Sequence, residues 1–275
     1  MERLWQRSVA ITLANKETSE AVKFNGLRVI FQVEKTSESN ANTAKISVFN
    51  LSARGRALAE KKKAVVILEV GYGGQPTQLF FGDITRAYIS RQGPDWVTTV
   101  ECGDGSEALR SVHIDKSYAP GTDLKQVIKD VAQSFVDQGK VVMGSLLGIQ
   151  SEKTQTGLSL SGGSQKHLDD LAARQGLEWS IQDNTLQMMP KDGDSGLEAV
   201  LLTPATGLIG SPVRREVAGG LGVEFKALIQ AQLLPGRMVR IRSREVDGVY
   251  KLQSVTFAGD THGQAFYAQG KAVAP

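Results

Sequence analysis

The chain has 275 residues, with 32 Lys+Arg against 29 Asp+Glu for a net charge of +3, and is 41% hydrophobic and 22% charged. This balance fits a soluble folded protein with room for two or three domains, argues against wholesale disorder, and is too weakly basic to predict nucleic-acid affinity by itself. A single cysteine, Cys102, excludes an internal disulfide and a thiolate metal cluster.

The opening MERLWQRSVAITLAN lacks an apolar stretch of signal-peptide length, and no segment approaches about 18 consecutive apolar residues. The expectation is folding in the cytoplasm without a membrane span. Strand patterns come first. Leu27, Val29, Phe31 and Val33 alternate with Arg28, Gln32 and Glu34, Ile30 interrupting the polar face, and Ile46 and Val48 continue the alternation in KISVFNLS. Ser52 caps a short predicted helix, SARGRALAEKKK, whose last turn holds Lys61, Lys62 and Lys63 at the negative end of the dipole. AVVILEV, LFFGDITRAYI and DWVTTVEC supply three further strands.

Between the first two of these stands Gly71-Tyr72-Gly73-Gly74. A phosphate-binding loop needs its glycines between strand and helix, with a lysine and a hydroxyl to follow. No Gly-Lys-Ser/Thr follows and the next segment reads as strand, so Gly71, Gly73 and Gly74 are assigned to a hairpin turn. Residues 1–118 read as a small antiparallel barrel or sandwich broken once by a helix.

The character changes near Pro120. Thr122 caps a predicted helix carrying Leu124, Val127, Ile128, Val131, Ala132 and Phe135 at helical spacing, with Gly139 as the stop. Gly157 to Gly163 reads as an exposed connection. Ser164 opens a second helix with Leu168, Leu171 and Ala172 on one face and Gly176 beyond its end. LEWSIQDNTLQMMP then alternates on both sides of an Asp183-Asn184 turn. Residues 119–190 therefore form a compact α+β module of two helices and a hairpin. KDGDSGLEA marks the next boundary, and strands return over 191–275: LEAVLL, GVEFKAL, GRMVRIRS, GVYKLQSVTFA and AFYAQG. Pro235-Gly236, Asp247-Gly248 and Gly259-Asp260-Thr261-His262-Gly263 are the expected bends. There is no short-period repeat, but the two flanking domains are built alike.

Chemistry-bearing residues do not converge. His113, His167 and His262 lack metal-ligand spacing, and HExxH is absent. GxSxG is also absent, and GGSQK has no predicted strand before it, as a nucleophile elbow requires. Cys102 follows an apolar strand and reads as a small buried side chain. No catalytic, metal or cofactor site is assigned. The arginines are more informative. Arg240, Arg242 and Arg244 alternate with Val239 and Ile241, placing three guanidiniums on one strand face, and Arg214-Arg215 is a weaker case. An ordinary solvated face competes with a subunit or partner interface, which suits bidentate arginine contacts.

Four segments, taken as an ordered set, resemble the baseplate hub protein of contractile-tailed bacteriophages, the late-control type, related in architecture to the base of the contractile secretion-system spike. They are KISVFNLSARGRALAE, VILEVGYGG followed by LFFGDI, LLTPATGLIGSPVRRE, and LLPGRMVRIRSREVDGVYKLQSVTFAGDTHGQAFYAQG. The resemblance implies a mainly β fold in which two tube-like antiparallel β-barrels (1–118 and 191–275) flank a small helix-hairpin domain (119–190). It implies a homotrimer with a pseudo-sixfold ring, a tail tube protein above, a central spike protein below, and baseplate wedge proteins touched by residues 119–190. It also implies assembly in the host cytoplasm into the virion tail baseplate, no enzymatic role, and DNA passing through the channel without specific binding.

A pore that gripped phosphates would slow passage, so the Arg240 stripe is expected to face protein. No lysozyme-like segment or β-helix needle is present. The competing readings are a peptidoglycan hydrolase and a carbohydrate- or protein-binding module. The second would gather aromatics on one exposed face, whereas Tyr72, Phe80, Phe81, Trp96 and Trp179 read as core residues.

Overall fold

A computed structural model describes residues 6–217 and 220–274. Strands β1 (Arg7–Asn15), β2 (Ala21–Asn25), β3 (Val29–Thr36) and β4 (Thr43–Phe49) come first, then helix α1 (Ala53–Ala59). Ser52 caps α1 as expected, its hydroxyl accepting from Gly55 N. The helix ends at Ala59, so Lys61, Lys62 and Lys63 lie in the turn beyond it, where Lys63 takes a φ of 61° that no helix continues through. β5 (Ala64–Tyr72) and β6 (Gln75–Gln92) form a hairpin whose two loop residues, Gly73 and Gly74, have φ of 63° and 81°. Both values belong to the mirror-image turn that a residue without Cβ enters freely, so the Gly-Tyr-Gly-Gly run is a bend between strands. Gly71 stands apart from it, inside β5 opposite Pro76.

β7 (Asp95–Gly103), α2 (Ser106–Ser111), β8 (His113–Tyr118), α3 (Leu124–Asp137), β9 (Val142–Leu146), β10 (Leu158–Gly163), α4 (Ser164–Arg174), β11 (Leu177–Gln182) and β12 (Thr185–Pro190) follow. Asp123, not Thr122, caps α3: its carboxylate accepts from Lys125 N, while the Thr122 hydroxyl donates to Ala119 O. The stretch expected to be an exposed connection is β10, paired with β8 from Leu158↔Tyr118 to Gly163↔His113. Its small residues concealed a strand because they contribute little apolar periodicity. The turn at Asp183-Asn184 has φ of 52° and 66°, values these two residue types tolerate. The last elements are β13 (Val200–Leu202), β14 (Leu208–Val217), β15 (Gly220–Ala227), β16 (Met238–Arg242), β17 (Asp247–Asp260) and β18 (Phe266–Val273).

The fold is mainly β. Among the described residues one sheet holds thirteen strands in the order β14-β15-β18-β17-β3-β4-β7-β6-β5-β1-β2, with β16 on the first half of β17 and β13 beside β16. The strand-rich ends of the chain are thus joined: β17 pairs with β3 from Ser254↔Thr36 to Asp260↔Ile30. They share one apolar core as well, where Phe31, Ile46, Leu68 and Phe80 cluster with Phe225, Val239, Leu252 and Phe257. Burial at roughly 25 cal/mol per Å² of apolar area makes this shared core the main force holding the two ends together.

Register reveals a repeat that residue identities hide. The β3–β4 pair followed by β6–β7 has the same topology as β14–β15 followed by β17–β18, with β4 on β7 and β15 on β18. Across one unit Lys45 faces Glu101 and Arg86 faces Glu101; across the other Glu224 faces Lys271 and Ser254 faces Lys271. Both units break register at the same point, between Ile84 and Arg86 and between Leu252 and Ser254. Such shared bulges are positional features of a fold, not accidents.

The intervening module has its own core, centred on Val127, Ile128, Val131, Phe135, Leu168, Trp179, Ile181 and Met188. It docks on the sheet through buried polar groups. Lys35 reaches Asp183 at 2.6 Å, and Lys251 meets Glu178 at 2.5 Å while donating to the Lys191 carbonyl. Asp104 accepts from the backbone N–H groups of Asp183 and Asn184, and Asn42 donates to Ile181 O.

Candidate assembly interface

β6 outruns its neighbour. Its residues Gln75 to Asp83 pair with β5, whereas Asp83 to Gln92 pair with β7, so from Arg86 onward one edge carries no strand among the described residues. β14 ends the other side of the sheet and, among the described residues, pairs only with β15. Unpaired edges are templates for another strand. Within the chain the equivalent edges are already joined, since β17 (the counterpart of β6) pairs with β3 (the counterpart of β14).

The aromatics sharpen this contrast. Phe266 faces Gly259 across β17–β18, and Trp96 faces Arg91 at the same place across β6–β7. Phe266 is 4% exposed, packed edge-on to Phe31 at 6.1 Å and to Tyr72 at 5.5 Å, with the Arg7 guanidinium 5.0 Å from its centroid. Trp96 is 47% exposed. The expectation that Trp96 packs in the core is overturned, because the unit that would cover it is missing on that side. Phe80 and Trp179 are buried as read; Tyr72 and Phe81 are half-buried.

The open face of the eight repeated strands is mixed in sign, with Glu34, Lys45, Arg86, Glu101, Lys226 and Lys271 beside Gln32 and Gln269, and it also carries the exposed apolar Ile30, Ile209 and Val213. Arg240 is paired within the chain to Asp247 at 2.6 Å and lies between the exposed Leu201 and Val249. Arg242 is exposed at the end of β16. Arg244 lies past the strand, so the three arginines do not share one face. The cause is a turn at Ser243–Val246, closed by Ser243 N to Val246 O and by Val246 N to the Ser243 hydroxyl. That turn also moves Asp247 and Gly248 out of the expected bend and into β17, opposite Arg242 and Ile241. Arg214 and Arg215 are exposed on the edge strand β14, Arg215 reaching Glu224 at 3.3 Å.

Gly259 and Asp260 close β17, and the bend after them contains Gly263. Arg28 holds the Asp260 carboxyl below the usual carboxylate range, and the Asp260, Gly263 and Gln264 carbonyls accept from Arg7. Arg7 of the first strand and Arg28, just ahead of β3, thereby fix the turn between β17 and β18.

The three histidines bond locally. The Nδ1 of His113 meets Ser111 O, the Nε2 of His167 meets Ser161 O, and the Nδ1 of His262 meets the Thr261 hydroxyl. Among the described residues no group of His, Cys, Asp and Glu converges as a metal site. A strand does precede GGSQK, contrary to expectation, but Ser164 is fully buried and its hydroxyl meets that of Ser134 at 2.8 Å. Cys102 is buried, which pushes its thiol pKa up and keeps it protonated. Sequence reasoning missed Lys35, although a signal existed: it continues the inward parity of Val29, Phe31 and Val33.

A family model described as Baseplate hub gp41 matches residues 7–272. The chain belongs to the Baseplate hub gp41 family. Solved structures agree on the fold. The 43 kDa tail protein of prophage MuSo2 from Shewanella oneidensis superposes with a TM-score of 0.65 at 11% identity, covering 97% of this chain and 98% of that one. The tail protein from Neisseria meningitidis MC58 gives 0.64 at 9% identity, with 98% and 96% covered. The c3393 protein of E. coli, a type VI secretion component described as structurally similar to T4 bacteriophage tail proteins gp27 and gp5, gives 0.65 at 9% identity, with 96% and 76% covered. No curated protein sequence matches. Baseplate hub gp41 membership makes this a structural tail protein family.

Proposed function

We propose that three copies close into a collar that adapts a sixfold tail tube to a threefold spike and leaves a channel for DNA. The register-level repeat carries this reading. Each subunit offers two equivalent four-strand units, so three subunits offer six, and a closed ring hides edges that a lone subunit leaves open. The mixed-sign open face suits a channel wall, since alternating charges neutralise few phosphates and give weak, salt-sensitive contact with DNA.

In this reading the collar meets the tail tube protein on one side and the central spike protein on the other. Residues 119–190 project outward toward baseplate wedge proteins, and Arg242, Arg244 and Arg214 face protein. Assembly takes place in the host cytoplasm, before the hub joins the virion tail baseplate, and the hub itself breaks no bond of a substrate. Mass in solution combined with imaging tests the collar: a threefold particle with a central hole is expected, and a compact monomer or a ring of another order would overturn it. Zymography on intact peptidoglycan tests the absence of catalysis, a cleared zone being the adverse result.

A further inference from the structure

We infer that Lys35 and Asp183 condense, on standing, into an amide that ties the sheet covalently to the intervening module. Such a modification needs an amine, a carboxyl and a proton relay held together away from water. The boundary between sheet and module assembles all three, and the bond does not depend on the collar.

Lys35 continues the inward row of Val29, Phe31 and Val33 on β3 and is 1% exposed. Val255, equally buried, lies opposite it on β17. An ammonium carries three donors. Among the described residues, this one finds a single acceptor, Asp183 Oδ2 at 2.6 Å. Lys251, the other buried lysine of the boundary, is held differently. It meets Glu178 and also donates to the Pro190 and Lys191 carbonyls, contacts that favour the charged form.

Asp183 is placed as the acyl partner. Its carboxyl carbon lies one bond of about 1.2 Å past Oδ2, hence within about 4 Å of the Lys35 nitrogen. Its Oδ1 accepts from the Phe81 N–H at 3.2 Å, a donor that steadies negative charge on that oxygen when Cγ is attacked. Asp104 supplies the relay. It is fully buried, its Oδ2 accepting from Asp183 N at 2.5 Å and its Oδ1 from Asn184 N at 2.8 Å. Burial and the Asp183 carboxylate push its pKa up to about 7, so near neutral pH much of it carries a proton.

The reaction balances without a co-reactant. The ammonium passes a proton along the 2.6 Å contact to Asp183 Oδ2, leaving an amine and a carboxylic acid. The amine lone pair then forms the Nζ–Cγ bond. Asp104 hands its proton to the departing Oδ2 hydroxyl and takes one from the nitrogen, the Cγ–Oδ2 bond breaks, and one water leaves. The Asp183 side chain, 19% exposed, gives that water a way out. Two opposite charges vanish from the interior and their desolvation cost goes with them. Partners fixed in this way react at effective molarities that reach the order of 10⁵–10⁸ M. The product joins positions 148 residues apart, so a force that would part an ion pair must break an amide instead.

Mass spectrometry of the full-length chain, fresh and after prolonged warm incubation, tests the bond. Fresh protein is expected to carry the ion pair. Aged protein should be lighter by one water and, on digestion, yield a branched peptide joining Lys35 to Asp183. Lys35→Arg should abolish that peptide, and Asp104→Asn should slow its appearance roughly a hundredfold. The charged groups that bear on Asp104 are Asp183 of the β11–β12 turn and Lys35 of β3. The wild-type rate should therefore fall as pH rises through about 7 and Asp104 loses its proton, whereas the residual rate of Asp104→Asn should not. Parallel pH profiles, or equal rates, would overturn the relay. An aged chain of unchanged mass overturns the bond, and so does water lost elsewhere, as a succinimide at Asp247-Gly248. The wild-type chain decides the bond by itself, so a variant that fails to fold leaves the test intact.

Discussion

Lys35 of β3, only 1% exposed, holds Asp183 of the β11–β12 turn at 2.6 Å. This pair spans the boundary between the sheet and the module, so it tests how firmly the two are locked. Asp183→Ala leaves an uncompensated ammonium in the interior and is expected to cost about 3–5 kcal/mol. Lys35→Met combined with Asp183→Asn should recover most of that loss, because asparagine tolerates the φ of 52° there and no ammonium is left unpaired in the interior. Urea denaturation of the three proteins measures both effects.

Asp104 gives the molecule a pH dependence. Burial first, and then the neighbouring Asp183 carboxylate, push its pKa up to about 7 from 3.8, although Lys35 and the two backbone donors oppose them. Between these values the folded protein binds a proton that the unfolded chain has released. Stability is therefore greatest below the unfolded value and declines as pH rises toward 7, by an amount on the order of a few kcal/mol. Asp104→Asn should flatten this decline. Denaturation midpoints at intervals from pH 4 to 8 provide the comparison, and an unchanged slope in the variant would count against the assignment.

Gly259 leaves room for an aromatic ring. A Cβ at this position would overlap the Phe31 ring. Gly259→Ala is expected to destabilise by about 1–3 kcal/mol through overpacking, and Phe31→Leu in the same chain should return part of it. Thermal melts of the single and double variants decide the point.

Tyr72 ties the first hairpin to the segment after β15, its hydroxyl accepting from Ile229 N at 3.1 Å. Tyr72→Phe keeps the ring against Phe266 but strands a buried N–H, at a cost of about 1–3 kcal/mol. Hydrogen exchange at the Ile229 amide should quicken more than at Leu252 or Phe257.

Much of this architecture is legible along the chain. Val29, Phe31 and Val33 announce an inward face, Ser52 announces a helix start, and Gly73-Gly74 announces a two-residue turn. Each of these depends on the dihedral preferences and alternation of a few adjacent residues, which travel with the sequence. Lys35 went unread, although its place on the apolar parity of β3 was the signal for it.

Which strand lies beside which was decided by the tertiary structure. β3 and β17 are separated by more than two hundred residues, and nothing local in VIFQVEKT specifies SVTFAGD as its partner. That choice depends on closing the shared core and satisfying every interior edge at once. The same closure left Trp96 bare while covering Phe266, drew Arg240 onto Asp247, and curled the chain at Ser243–Val246 so that Arg244 left the strand. Side-chain type is carried by the sequence alone, but its neighbour across space exists only once the whole sheet has formed.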